Sequence, residues 1–254
     1  PELQVYFTSV TDHWTTATVS GPNARKVIAK VCADIDLSNQ AFGFMDWRDG
    51  TVAGVKARVF RISFTGELSY EVNVPAHHGR HVWEQLMEAG AEFDITPYGT
   101  ETMHVLRAEK GFIIVGQDTD GSMTPSDMNM DWVLGKNKTF SYLGKRSLER
   151  SDTTRDNRKQ LVGLKTLVAT EVIPEGAQII FDSKQKIPMS MQGHVTSSYY
   201  SACLGHSIAL AVVKGGLNRL GQIVYCPLAD GRIIAAEIVS SVFYDPKGER
   251  HHVE

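Results

Sequence analysis

Hydrophobic and polar residues alternate through much of the first 75 positions, as they do in strands that bury one face. The alternation predicts strands over 3–10, 14–20, 55–64 and 68–74. The last two flank the turn tripeptide 65–67 (TGE), so the chain is expected to fold back on itself there as a hairpin.

A different spacing, with apolar side chains three and four residues apart, predicts helices over 22–33, 76–89 and 99–110. Pro22 suits the first turn of the first of these helices. The stretch 43–54 contains glycines and aromatic residues and is expected to be a loop. Alternating strand pairs and helices indicate the α+β class, with helices on one side of an antiparallel sheet.

The pattern changes after the segment 151–158, which has no apolar residue and is the predicted linker. Short strands separated by turn residues follow, and they predict a small all-β barrel domain over 159–254. The predicted organisation is therefore a domain over 1–150, the linker and the barrel. The barrel strands are expected at 160–166, 177–182, 187–196, 207–213, 222–226 and 232–242.

The composition gives no positive signal for nucleic-acid binding or for a membrane span. The 26 basic and 29 acidic residues give a net charge of −3, which offers no signal for nucleic acid, although a local basic groove for an anionic ligand remains compatible with it. The sequence has no apolar run near the length of a membrane span. Three widely spaced cysteines (Cys32, Cys203 and Cys226) favour a reducing, cytoplasmic location over a disulfide framework.

Two groups of polar residues could be considered as metal ligands, but their spacing and neighbours do not indicate a metal site. His77, His78 and His81 have no acidic or cysteine residue beside them and are expected to be surface histidines. The carboxylates within 116–131 lack the spacing of a calcium loop and suit turns and helix caps instead.

Six short motifs occur in an order that resembles the glycine cleavage T-protein (aminomethyltransferase) family. Within this family the chain is most similar to the C-terminal part of the α subunits of heterotetrameric sarcosine oxidases, through residues 106–120 and 243–246. The motifs are SFTGELSYE at 63–71, LRAEKG at 106–111, GQDTD at 116–120, YLGKRSL at 142–148, GHVTS at 193–197 and LGHSIALA at 204–211.

The resemblance implies a tetrahydrofolate site in which Glu71 binds the pterin ring. The strand pattern places Glu71 on the polar face of its strand, where one carboxylate can accept two adjacent pterin N–H donors. Phe64 and Phe112 match ligand-proximal tyrosines of relatives, and Met103 replaces a folate-contacting arginine of the T-protein. From the residues alone, two other roles are also consistent with the pattern. Glu71 would be a solvent-exposed carboxylate on a strand, and Phe64 would be a side chain of the hydrophobic core.

The resemblance also implies partners and a reaction. A flavin-bearing β subunit would oxidise sarcosine, smaller subunits would complete the assembly, and flavin and NAD would bind outside this chain. The one-carbon unit would be captured as 5,10-methylenetetrahydrofolate. The carboxylate that assists transfer in the family lies on a segment with no counterpart in 1–254. No catalytic residue is therefore assigned, and the chain is expected to be a fragment that is inactive alone.

Two alternatives remain at this point. The first is another enzyme of the same family, either a T-protein or a dimethylglycine oxidase or dehydrogenase. The second is a non-catalytic folate-binding module with a regulatory or assembly role, because a fold does not determine a function.

Overall fold

The structure, a computed structural model, describes residues 3–135 and 137–253. Its packing divides the chain into two units: Pro1–Met103 together with Lys247–Glu254, and His104–Pro246. These units describe packing, and the predicted domain boundaries at 150 and 159 stay a prediction. In the described part of the chain, no helix combines the length and the apolar character needed to cross a membrane.

A four-stranded antiparallel sheet forms the first unit. Its strands are β1 (Trp14–Ser20), β2 (Trp47–Val52), β3 (Val55–Phe60) and β4 (Ser69–Pro75), in the spatial order β1-β4-β3-β2. Burial alternates along β1, β3 and β4, as expected for a sheet with one apolar face.

Helices α1 (Ala24–Val31) and α2 (Gly79–Gly90) cover the apolar face of this sheet. Each helix contributes a stripe of side chains at helical spacing, and these share a core with side chains from all four strands. The shared core includes Val27, Ile28, Val82 and Leu86 from the helices and Ala17, Val59, Tyr70, Val72 and Val74 from the strands.

Two sequence predictions in this unit are wrong. Residues 4–10 form no strand, and the apolar side chains of Tyr6 and Phe7 are exposed, because no neighbouring strand pairs with the segment. The predicted loop 43–54 contains β2, which is held by a full register of pairs with β3. The predicted hairpin forms, but its strands end earlier, and residues 61–68 connect them.

The second unit contains short helices and a closed sheet. Helix α3 (Thr100–Glu109) includes the point at which the two units divide. Helix α4 (Lys145–Leu148) and helix α5 (Ser151–Thr154) follow, and α5 lies within the predicted linker.

Six strands form the sheet of the second unit, in the order β6-β7-β8-β5-β10-β9. A bridge between Ile180 and Tyr225 joins the two ends of this order, with backbone hydrogen bonds of 2.9 and 3.0 Å, so the sheet closes into a barrel. The predicted fold class is confirmed. The strands are β5 (Lys159–Thr166), β6 (Gln178–Ile179), β7 (Gly193–Ser201), β8 (His206–Lys214), β9 (Ile223–Pro227) and β10 (Ile233–Val239).

A buried ion pair lies beside the barrel. Arg107 and Asp118 have fully buried side chains and are joined by a bond of 2.5 Å from Nη1 to Oδ2. The other Asp118 oxygen accepts hydrogen bonds from the hydroxyl groups of Thr196 (2.5 Å) and Ser197 (2.7 Å). The Asp118 charge is therefore balanced and both its oxygens are hydrogen-bonded, as burial requires.

The first unit also buries an arginine, but with a different set of acceptors. Arg61 donates to the carbonyl oxygens of Phe42 (2.5 Å) and His251 (2.8 Å) and to Asn39 Oδ1 (2.7 Å). Burial lowers the pKa of the Arg61 guanidinium. Arg61 therefore connects the sheet to a segment from the far end of the chain.

Candidate functional site

The face of the first sheet opposite α1 and α2 carries mostly polar side chains. Directly paired residues of antiparallel strands share a face. Glu71 of β4 pairs with Thr18 of β1 on one side and with Phe60 of β3 on the other. Asn73, two residues along β4, pairs with Thr16 and Arg58. Glu71 thus lies on an inner strand, between two neighbours of different chemistry.

Glu71 is half-buried, and its carboxylate has no hydrogen-bond or ion-pair partner within residues 3–135 and 137–253. Burial raises the pKa of this carboxyl, since partial removal from water disfavours the charged form. A half-buried acceptor with unused lone pairs suits a ligand that brings its own donors.

A cleft of about 470 Å³ runs along the free edge of β1. It is bounded by β1, the start of α1, one side of α2 and the segment 93–100. Trp83 and Tyr98 give it aromatic walls, and Thr16 and Thr18 supply hydroxyl groups. Its size falls within the range of small-molecule sites.

Of the four predicted site residues, Met103 lines the cleft, and Thr18, the strand partner of Glu71, lines it as well. Glu71 itself is not among the residues that line the cleft. The candidate site therefore consists of the cleft and the adjoining polar face around Glu71.

The two predicted phenylalanines are not among the residues that line the cleft. Phe64 is half-buried in the connection between β3 and β4, and it does not line the cleft. Phe112 belongs to the second unit, where its backbone N–H donates to the Arg107 carbonyl (2.9 Å). Their roles at a ligand site remain predictions.

The connection before β4 is held in place by local and distant contacts. Gly66 has a φ of +84°, a conformation that favours glycine, and its N–H donates to Ser63 Oγ (3.0 Å). Glu67 accepts a hydrogen bond of 2.5 Å from Arg250 Nε. The predicted turn motif thus orders the segment that leads into Glu71, and the first carboxylate of the motif, Glu67, has a structural partner.

The neighbours of Glu71 are not among the predicted site residues. Phe60 interrupts the polar face of β3, and its position follows from the alternation along 55–60, so the signal was present. Predicting that Thr18 lies beside Glu71 requires the register between β1 and β4, which no local sequence pattern provides.

Among the described residues, no three His, Cys, Asp or Glu side chains are grouped so that they would hold a metal ion.

The fold is that of a T-protein-like module, and comparisons with known proteins agree. Residues 1–138 match the family model for the GCVT N-terminal domain, and residues 159–245 match the glycine cleavage T-protein C-terminal barrel domain. The chain belongs to the glycine cleavage T-protein family.

Relatives within this family have several names. The chain is 48% identical over 255 residues to the sarcosine oxidase subunit alpha of Corynebacterium sp. (strain U-96), with 98% of the chain and 26% of that protein covered. It is 31% identical to an aminomethyltransferase of Listeria monocytogenes serotype 4a (strain HCC23), with 94% and 62% covered. Human dimethylglycine dehydrogenase is 31% identical, with 84% and 24% covered.

A solved structure supports the fold. The glycine cleavage system aminomethyltransferase T from Bartonella henselae matches with a TM-score of 0.75 at 24% identity, covering 91% of this chain and 59% of that one. The chain spans about a quarter of the length of the sarcosine oxidase α subunits that it matches.

Proposed function

We propose that this chain is the folate-binding part of a sarcosine oxidase-type α subunit and that Glu71 binds the pterin ring. The observation that carries the proposal is the half-buried Glu71 carboxylate without a partner in the described chain, at the end of the family motif 63–71. The similarity to sarcosine oxidase α subunits supports the choice among family members.

The residues present suit a reduced folate. Its pterin ring offers two adjacent donors, the 2-amino group and N3–H, and one carboxylate accepts both in a charge-assisted pair. The neighbouring cleft has room for a bicyclic ring and offers aromatic surface from Trp83 and Tyr98. In this proposal Met103 supplies apolar contact in the cleft, and the ligand-proximal roles of Phe64 and Phe112 stay predictions from the family resemblance.

The proposed overall reaction joins two centres. A flavin-bearing β subunit oxidises sarcosine, with flavin and NAD bound outside this chain, and the one-carbon unit is captured as 5,10-methylenetetrahydrofolate. Bound tetrahydrofolate supplies the acceptor amine. The contribution of this chain is to hold that amine in position, which lowers the entropic part of the barrier.

Calorimetric titration of the purified protein with a reduced folate tests the pterin assignment. Glu71→Gln is expected to weaken binding by about 1.5–3 kcal/mol, the usual value of a hydrogen bond to a charged group. Glu237→Gln is the matched control, because Glu237 is also a half-buried strand glutamate but lies in the barrel. Equal affinities for Glu71→Gln and the parent protein would contradict the assignment.

Met103 supports a second candidate, a folate-binding module without a catalytic role. An apolar side chain at the family's arginine position removes a charged donor from the cleft. The two candidates differ in product formation. Sarcosine-dependent production of methylenetetrahydrofolate by the complete complex, lost in Glu71→Gln, supports the enzyme and excludes the non-catalytic module.

A further inference from the structure

An exposed apolar and cationic patch lies on the segment 132–150 of the second unit, and none of its described residues lines the cleft. Trp132 is 78% exposed, Phe140 is 62% exposed and Leu143 is fully exposed. Single exposed apolar side chains are ordinary, but a group of them in one segment usually marks a contact surface. The patch overlaps the motif YLGKRSL at 142–148, which the candidate site does not use. It is defined here as Trp132, Lys138, Phe140, Leu143, Lys145 and Arg146.

The positive charge of the patch is not balanced by its own neighbours. The segment 132–150 has five basic residues and one acidic residue, whereas the whole chain has a net charge of −3. Among the described residues, no carboxylate lies within ion-pair distance of the three basic side chains of the patch. By contrast, Arg158 further along the chain pairs with Asp127 at 2.6 Å. The patch therefore attracts an anionic group from outside the described chain.

Aromatic rings and cations lie side by side in the patch. The Nζ atoms of Lys138 and Lys145 lie 5.4 and 5.9 Å from the ring centroid of Tyr142. Lys145 also donates to the carbonyl oxygen of Lys138 (3.4 Å). Each ammonium group has three N–H donors, so both retain donors for a carboxylate.

A groove beside these cations has apolar walls. Trp132, Leu134 and Phe140 line it together with Lys138. A groove that combines apolar walls with a cation suits an apolar side chain flanked by carboxylates. Protein partners insert single side chains into pockets in this way, so the groove favours a protein over the flat surface of a bilayer.

We propose that the patch docks an acidic segment of a partner subunit, which inserts an apolar side chain into the groove. The inference rests on the proposed function, in which this chain belongs to an assembly of several subunits. Opposite charges on the two surfaces accelerate encounter and select the partner, and the inserted side chain slows dissociation.

Chemical cross-linking of the complete complex tests the acidic partner directly. A zero-length carbodiimide reagent joins a lysine amine to a carboxylate that is in contact with it. Lys138 or Lys145 is expected to be coupled to an Asp or Glu of another subunit, and peptide mass spectrometry identifies the joined residues.

Two variants separate the charges from the apolar anchor, with the dissociation constant measured between the purified chain and the remaining subunits. The double substitution Lys145→Glu and Arg146→Glu should weaken association roughly tenfold or more, and added salt should reduce this effect. Phe140→Ser should weaken it roughly threefold to tenfold, with little dependence on salt. The matched control is Lys184→Glu with Lys186→Glu, which changes the net charge equally at exposed positions of the same unit and should leave association unchanged.

Each outcome decides the role of the patch. Cross-links to another subunit, together with selective weakening by the patch variants, support docking. Unchanged association, or equal weakening by the control pair, overturns it. Binding of the parent chain to phosphatidylglycerol vesicles that is lost on charge reversal, without cross-links to a protein, assigns the patch to a membrane surface and also overturns it.

Titration of every variant with 5-formyltetrahydrofolate keeps this inference apart from the proposed function. Parental folate affinity in the patch variants shows that they are folded and that the proposed function stands, whatever the association result. A chain that associates through the patch but binds no folate overturns the proposed function and supports the docking surface.

Discussion

Asp118 of the barrel unit and Glu71 of the first unit are carboxylates in opposite environments. In the barrel unit Asp118 is fully buried and receives Arg107 and two hydroxyl groups. In the first unit Glu71 is half-buried, and the described residues offer its carboxylate no partner. A buried charge that stabilises the fold needs a neutralising partner within the fold. A ligand is expected at Glu71, whose carboxylate has no partner among the described residues, because natural sequences depart from such local rules mainly at functional sites.

The greatest loss of stability is expected from a substitution of Asp118. Asp118→Asn removes the charge that balances buried Arg107 and should lower the free energy of unfolding by about 3–5 kcal/mol. Urea denaturation followed by circular dichroism measures this loss. A loss below about 1 kcal/mol would contradict a structural role for the pair.

A second buried carboxylate of the barrel unit, Asp127, is expected to make the stability of the protein depend on pH. Burial raises the pKa of Asp127, but hydrogen bonds from Arg158 and Thr124 outweigh this effect and hold it below its usual value. Arg158 Nη2 lies 2.6 Å from Asp127 Oδ2. The pair therefore contributes stability above the unfolded pKa, and that stability is lost as pH falls through the folded pKa.

Asp127→Asn is accordingly expected to cost about 1.5–3 kcal/mol at pH 7. The difference from the parent protein should shrink as the pH falls below about 4, the ordinary pKa of an aspartate. Denaturation midpoints across this range check the sign. A difference that grows in acid would refute the assignment.

The smallest change in the free energy of unfolding is expected for a substitution of Glu71. Its folded pKa is raised, so its stability contribution is greatest below the unfolded pKa and declines as pH rises through the folded value. Glu71→Gln should therefore be more stable than the parent protein at neutral pH, by no more than about 1 kcal/mol after solvent screening. Unfolding at pH 4 and pH 7 tests this, with Glu237→Gln as the control. A clear loss of stability at pH 7 would place Glu71 among the structural carboxylates.

Local patterns predicted most of the first sheet because its strands bury one face. The period of two in 55–60 and in β4 identified both strands and placed Glu71 on the polar face. The same reasoning failed for residues 3–10, which alternate but lie exposed without a pairing strand. It also missed β2, whose Asp49 and Gly50 are typical of loops and which is a strand because β3 pairs with it.

The candidate site was only partly predictable for a similar reason. Glu71 follows from a motif and a local alternation, whereas its neighbours follow from register between segments far apart in sequence. Thr18 and Glu71, which pair across the strand boundary, are 53 positions apart in the sequence. The partners of Asp118 likewise include Ser197, which lies 79 residues away. Contacts of this kind depend on tertiary packing, which a single sequence does not encode locally.

The contact between Arg61 and the His251 carbonyl has a consequence for synthesis on the ribosome. The two residues are 190 positions apart, and the barrel unit is made between them. At about 5–20 residues per second, roughly 10–40 s pass between the emergence of the guanidinium and that of its third acceptor. The first unit is thus translated first and completed last, and until residue 251 is made, the growing chain holds two of the three acceptors of the Arg61 guanidinium, the Phe42 carbonyl and Asn39 Oδ1.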